Sequence, residues 1–427
     1  MTDISTPTPA ALENESRRYE NRLLVILFVA FGFVFFDRQA LAFLAPYIDK
    51  DFGLSNAELG TLSGVLALTW ALAGMVAGRL SDKLGRRKPI LIVAVLLFSV
   101  FSSVSGLMGG FVGLLAARAL MGVAEGAVLP MAQSLMVETS REHRRGLNMG
   151  LVQGSSAGLL GGILAPIVVV WVAEATSWRT AFFVTILPGL IIAAVIMKYV
   201  REKPPLVRTA AIEATEAAPA QPKPALKDVL KQRNVLICML IACFYLTWFI
   251  TLITFTPKFL TDEKGFAPGT MSGVMTCLGV AWVLWGFATP GISDRIGRKA
   301  ALIGFTSLAV LCPIFLVYVD NPVLLGALMI VSYTGLGCFT LFMATIPAET
   351  VPPGALATAL GVIMGVGELA GGFIGPMVSG WASDQWGLQT AMFIASGGAL
   401  VVVVLSFALK ETAPAVVRKR LAAREAV

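Results

Sequence analysis

Charge is scarce in this sequence: Asp, Glu, Lys and Arg together make up 14% of its 427 residues, where soluble domains carry about 25%. With 56% apolar residues and a mean hydropathy of +0.80, the chain is suited to a bilayer, which excludes a soluble enzyme and an ordinary cytosolic binding module. Histidine is nearly absent. The single His143 sits in the basic loop around Arg141 and Arg145, so no Ser-His-Asp set and no histidine metal cluster can be assembled. The five cysteines (Cys238, Cys243, Cys277, Cys312, Cys338) lie in apolar runs without Cys-x-x-Cys spacing and read as packing residues. No Gly-x-x-x-x-Gly-Lys-Ser/Thr loop is present, which argues against an ATP-driven pump. Gly365-Val366-Gly367 follows no strand and fails the third glycine spacing of a dinucleotide site. No cofactor, no metal and no nucleic-acid partner is expected.

What the chain does have is long apolar runs. They predict helices over 23–48, 57–80, 89–108, 110–137, 146–172 and 179–200, then over 234–260, 270–292, 299–319, 322–348, 355–381 and 388–409, six and six. Of the 33 Lys and Arg, only Lys50, Arg179, Lys258 and Lys264 fall on the far side and Arg38 and Arg118 within helices. The rest share one side with both tails, which predicts cytoplasmic termini. The net charge of +7 is therefore a topology signal. The polar start, with Arg17 and Arg18 ahead of a run too long for a signal peptide, predicts a retained first helix. The expected organisation is an all-α membrane protein: tail 1–22, six-helix bundle 23–200, cytoplasmic linker 201–233 holding Pro204, Pro205, Pro222 and Pro224, second bundle 234–409, and tail 410–427.

The halves repeat each other. Ser81-Asp82-Lys83-Leu84-Gly85-Arg86 follows the second run and Ser293-Asp294-Arg295-Ile296-Gly297-Arg298 follows the eighth, 212 residues later. Nearly the same offset relates Pro46 to Pro257, Glu138 to Glu349, Gly150 to Gly361, Gly161 to Gly372 and Pro166 to Pro376. Agreement at helix ends and middles implies a parallel duplication, as in transporters with a midplane site between two bundles.

Gly78-Arg79-Leu80-Ser81-Asp82-Lys83-Leu84-Gly85-Arg86-Arg87-Lys88 resembles the signature loop of the major facilitator superfamily, and the resemblance covers nearly the whole chain. Gly78, Asp82, Gly85 and Arg86, with Asp294, Gly297 and Arg298, are expected to gate: acids at helix ends beside cationic loops can latch neighbouring helices in one state and release them in another.

A charge at a helix centre facing lipid costs about 2.5–3.5 kcal/mol, so the few present are expected to face a cavity and pair. In the first half these are Asp37, Arg38, Arg118 and Glu125, which sum to zero. Arg118, Gly122 and Glu125 share one helix face, the charges about 10 Å apart by rise with a glycine between for close approach. A substrate carboxylate held by a guanidinium would displace an acid, which then takes a proton. The Asp37-Arg38 and Arg118-x-x-x-Gly122-x-x-Glu125 pattern resembles the anion:cation symporter branch, and also the Spinster-like lipid transporters. The first resemblance implies proton-linked Asp37 and Glu125, with Arg38 or Arg118 engaging the anion. Where sugar-acid members tend to have tyrosines, this chain has Phe35 and Trp70, so an organic acid with an apolar or aromatic body is expected. The alternative is that both rings only pack.

Glu368, amid glycines on the eleventh helix, has no evident cation in its own half; it is expected to hold a proton, to contact substrate, or to reach Arg38 or Arg118. Gln153 is a candidate hydrogen-bonding residue. Thr247, Trp248, Thr251, Trp282, Trp285, Tyr333, Thr334 and Thr340 are candidates for the second wall, and the glycine clusters 154–162 and 365–375 for close packing or bends. The expected protein is a proton-coupled importer of an organic anion in a bacterial inner membrane, working as a monomer. The alternatives are a proton-coupled exporter of amphiphilic drugs or lysolipids, and a sensor or scaffold without turnover.

Overall fold

The structure is a computed structural model that describes residues 9–141, 144–202, 229–414 and 416–418; the side chains at 9–13, 82, 336, 353, 354 and 357 are outside that set. His143, the Asp82 side chain and most of the expected linker therefore lie outside the described residues. Among the described residues every regular element is helical. Twelve helices are long and apolar enough to span a bilayer: α1 (Asn14–Phe52), α2 (Asn56–Ser81), α3 (Lys88–Ser105), α4 (Phe111–Thr139), α5 (Arg145–Ala175) and α6 (Trp178–Tyr199), then α7 (Arg233–Glu263), α8 (Pro268–Ile296), α9 (Arg298–Tyr318), α10 (Pro322–Thr350), α11 (Thr358–Trp386) and α12 (Gln389–Phe407). Only closed internal hydrogen bonding lets backbone cross lipid, and helices satisfy that segment by segment.

Helix ends follow local chemistry. Ser55 and Glu58 form a reciprocal capping box at the start of α2, and Asn321 accepts the Val323 and Leu324 N–H groups at 3.0 Å to open α10, satisfying orphan donors of the first turn. α1 starts well before the apolar run because its polar extension has partners. Buried Glu20 accepts from Arg141 and Asn148, each at 2.8 Å, and Glu15 pairs with Arg201.

The duplication holds in three dimensions. Arg87 pairs with Glu138 and, 211 residues on, Arg298 pairs with Glu349 at 2.9 Å. Glu202 accepts the Arg87 and Lys88 N–H groups at 2.9 and 2.7 Å, while Glu411 accepts those of Arg298 and Lys299 at 2.8 and 3.3 Å. Each carboxylate sits at the positive end of a helix. Gly85 and Gly297 turn these loops at φ +63° and +105°, conformations that disfavour a Cβ. Asp294 pairs with Arg298 at 2.6 Å.

The two bundles meet at the end opposite the termini. A Cβ on Gly60 or Gly380 of either helix would strike backbone across the α2–α11 contact, at Pro376 and Asn56 respectively, and Gly162 of α5 touches Gly279 of α8. Lys258 of α7 pairs with Asp49 of α1. Asp384, near the end of α11, accepts the Asn56 and Ala57 N–H groups at 2.8 and 2.9 Å, capping α2 across the bundle boundary. Toward the termini the same helices diverge. A 240 Å³ cavity separates Trp70, Ala71 and Gly74 from Gly361, Met364 and Gly365, and a 650 Å³ vestibule lies between Gly150, Gln153 and Gly154 on one side and Gly286, Phe287 and Pro290 on the other. The molecule is closed on the far side and hollow on the termini side.

That arrangement makes Asp384 testable as a closure contact. Asp384→Ala, which removes the cap, is expected to raise labelling of a cysteine at Ser63 by an impermeant maleimide from the far side severalfold, a cap being worth about 1 kcal/mol. Unchanged labelling would show that the contact does not hold the halves together.

Candidate functional site

Between the closed end and the vestibule lies a chamber of about 90 Å³. α1 contributes Phe35, Arg38 and Gln39, α2 Ser63 and Trp70, α4 Arg118, and α5 Gln153; α7, α8, α10 and α11 contribute Phe249, Trp282, Phe339 and Glu368. Five expected site residues from the first half and Glu368 from the second thus line one space. Asp37 and Glu125 do not.

Asp37 is turned into the first bundle, buried beside the hydroxyls of Ser102 and Thr185, which bond each other at 3.0 Å. Glu125 is fully buried with both carboxylate oxygens unpartnered. Gly122 serves helix packing, since a Cβ there would meet Thr69 and the Leu66 carbonyl of α2. The expected pairing is also not what this state holds. Among the described ion pairs none includes Asp37, Arg38, Arg118 or Glu125. Arg118 instead donates to the Arg38 carbonyl at 3.0 Å, with its Nε unpartnered.

The Arg38 guanidinium lies over two rings, 5.4 Å from Trp70 and 5.8 Å from Phe35. In this state those aromatics hold the arginine by cation–π attraction, where stacking on substrate was expected. The open aromatic surface belongs to the second half. Trp282 meets Phe249 edge-on at 5.1 Å and Phe35 at 5.7 Å, with Phe339 beside them. At an offset of 211, Trp248 and Phe249 occupy the places of Asp37 and Arg38. Duplicated helices therefore present charge on one wall and rings on the other.

Of the other second-half candidates, Thr340 reaches the vestibule. Trp248, Trp285, Thr247 and Thr334 donate to backbone carbonyls at 2.8–3.0 Å, Thr251 bonds Ser379, and Tyr333 stacks on Trp248, all within the bundle. Gln153 accepts from Gln133 at 3.3 Å. Gln133, Gln39, Phe249 and Phe339 were not singled out by sequence; placing Phe249 opposite Arg38 by the repeat offset would have found that wall. The glycine clusters coincide with π-helical turns at Leu151–Ser155 and Ala157–Leu164 in α5 and at Glu368–Ile374 in α11. Such turns often mark functional sites in helices.

With this geometry in hand, comparison with known proteins is specific. The family model described as Major Facilitator Superfamily matches residues 27–374. A hexuronate transporter of Bacillus subtilis is 29% identical over 416 residues, covering 91% of this chain and 94% of its own. A probable 4-methylmuconolactone transporter of Cupriavidus pinatubonensis is 28% identical, with 88% and 85% covered. The inward-facing, occupied crystal structure of a bacterial homologue of the human lysosomal transporter Spinster superposes with a TM-score of 0.72 at 18% identity, covering 91% of this chain and 96% of that one, a likeness of fold.

Proposed function

The chain belongs to the Major Facilitator Superfamily and is a multi-pass membrane transporter, not an enzyme; on that premise we propose that it imports an organic anion together with protons by alternating access. One observation carries the reading: two arginines of the chamber, Arg38 and Arg118, are joined to no carboxylate by the described ion pairs. A guanidinium so placed takes a substrate carboxylate in bidentate geometry.

Asp37 and Glu125 then serve as proton-linked acids behind the arginines. When substrate draws the guanidinium charge, each loses electrostatic support and binds a proton, which leaves again once the anion departs. Gln153 supplies a hydrogen bond, and Trp70 and Phe35 hold Arg38 until substrate arrives. The rings of Phe249, Trp282 and Phe339 favour an acid with an apolar or aromatic body over a polyhydroxy one, whose hydroxyls would stay unpaired there. The relatives are named for hexuronate and for 4-methylmuconolactone, and the ring wall favours the less hydroxylated kind of substrate. The gate is Gly78, Asp82, Gly85 and Arg86 with Asp294, Gly297 and Arg298. The membrane is a bacterial inner membrane, both termini are cytoplasmic, and the monomer is the working unit because one chain encloses the chamber.

The test is external alkalinisation when organic acids are added to de-energised cells expressing the wild type or Asp37→Asn. A jump with one acid class, lost in the variant, is expected. No jump with any acid, and proton release on adding amphiphilic cations or lysolipids, would replace import by export. The side cavity between α2, α4 and α11, lined by Gly74, Gly126, Gly361 and Gly365, is what favours that second reading. Within import, saturable uptake of galactonate with none of benzoate would overturn the apolar-body assignment.

A further inference from the structure

Among the described residues Glu368 is the one acid of the chamber lining, and it stands where the two halves part. Toward the far side of it, α2 and α11 are in contact, through Gly60 with Pro376 and Gly64 with Phe373. Toward the termini they separate around the cavity between Trp70 and Gly74 on α2 and Gly361 and Gly365 on α11. The π-helical turn of α11 begins at Glu368 itself.

The carboxylate has a niche. A Cβ on Gly372, one turn on, would land on Glu368 Oε2 and come within 3.4 Å of the Ala67 Cβ of α2. Lacking that Cβ, the chain leaves room for the acid at the innermost α2–α11 contact. Oε2 is buried there without a hydrogen-bond partner, and the residue is 5% exposed. Among the described residues charged groups around it are few: α1 brings Arg38 and α4 Arg118 to the same chamber, while α2, α7 and α10 bring none to the lining, and the nearest α7 thiol, Cys243, lies against the Val366 carbonyl.

We propose that Glu368 couples proton binding to closure of the far-side gate: α2 and α11 close over the neutral acid, and an ionised Glu368 drives them apart. This deepens the proton-coupled reading above, on which it rests. An ionised oxygen without a donor is expensive in a dry niche, whereas the neutral acid is tolerated. Opening the contact lets water reach the carboxylate. The proton therefore binds from the far side while the gate is open, stays with Glu368 through closure, and leaves to the vestibule; the empty, deprotonated carrier reopens outward. Substrate joins the cycle through Arg38. Arg38 and Glu368 line the same chamber, so an anion that neutralises the guanidinium and a proton that neutralises the acid favour the same closed state.

The experiment uses Ser63→Cys, on the chamber wall, in full-length protein without its five native cysteines, labelled from the far side with an impermeant maleimide. The ratio of labelling rates for Glu368 over Glu368→Gln cancels the thiol's own pH dependence. It should be near one at about pH 5.5 and rise roughly tenfold by about pH 8, as one group titrates. A ratio flat with pH, or a Gln variant that labels faster than its parent, would overturn the proposal. If Glu368→Gln does not fold, Gly372→Ala decides. Its methyl displaces the carboxylate from the niche, so labelling should be high at both pH values, and parental labelling refutes the niche. The two readings fail separately. Acid-driven alkalinisation with a flat ratio removes the gate role and leaves symport on Asp37 and Glu125; a pH-dependent ratio with no acid-driven proton entry removes symport and leaves the gate.

Discussion

Gly279→Leu is expected to abolish transport while leaving a folded protein whose chamber is open from the side opposite the termini. A side chain at 279 meets the Gly162 carbonyl carbon and oxygen and the Ile163 nitrogen, all backbone, which cannot rotate away. Overpacking of this kind costs about 1–3 kcal/mol where neighbours can yield, and here they cannot without parting α5 from α8. Because the contact joins the two bundles on the closed side, the penalty is expected to act on the equilibrium between states. A shift of that size moves the population by roughly ten- to a hundredfold, and a carrier held in one state does not turn over. Gly273→Ala, on the same helix with open space at its Cβ, should transport normally. Steady-state uptake and far-side labelling of Ser63→Cys check both variants. Unaltered uptake in Gly279→Leu would mean that the halves do not close through this contact.

The contact illustrates how far the sequence alone reaches. Bilayer thickness and backbone hydrogen bonding leave little freedom once apolar runs are found, so α2 was expected over 57–80 and spans Asn56–Ser81. Glycine clustering pointed to α5 and α11 as close-packing elements, but their opposing surfaces on α8 and α2 are set by tertiary packing that periodicity does not encode. The same limit separates Arg118 from Glu125. Their spacing puts them on one face of α4, and both are buried. Yet α2 lies against Gly122 and Gly126 between and beyond them, so Arg118 reaches the chamber and Glu125 is sealed behind it. Asp37 and Arg38, adjacent in sequence, point about 100° apart on a helix, one into the bundle and one into the chamber. Burial near polar hydroxyls let Asp37 remain inside, an outcome that its charge alone did not suggest. The start of α1 differs for a related reason: Glu20 is polar but buried through distant partners, Arg141 in the loop after α4 and Asn148 at the start of α5.

Arg118→Lys is expected to lower uptake at sub-saturating substrate by roughly ten- to a hundredfold, the 1.5–3 kcal/mol of a charge-assisted hydrogen bond. Arg118 is 2% exposed and donates to the Arg38 carbonyl, so its fork both ties α4 to α1 and leaves donors for an anion. Lysine keeps the positive charge that balances Asp37 and Glu125, and the bundle should assemble. It cannot span the carbonyl and a carboxylate at once, since its donors sit on one nitrogen where guanidinium offers a planar array. The effect should therefore appear mainly in KM, with protein yield and monodispersity near wild type. Arg118→Ala differs in kind. Two buried acids would share Arg38 alone, and an uncompensated buried charge costs about 3–5 kcal/mol, so either the protein is lost or the acids take up protons permanently. In the second case uptake would lose its dependence on the proton gradient along with its rate. A lysine variant with unchanged KM would place the substrate anion on Arg38 alone and reduce Arg118 to a brace between α4 and α1.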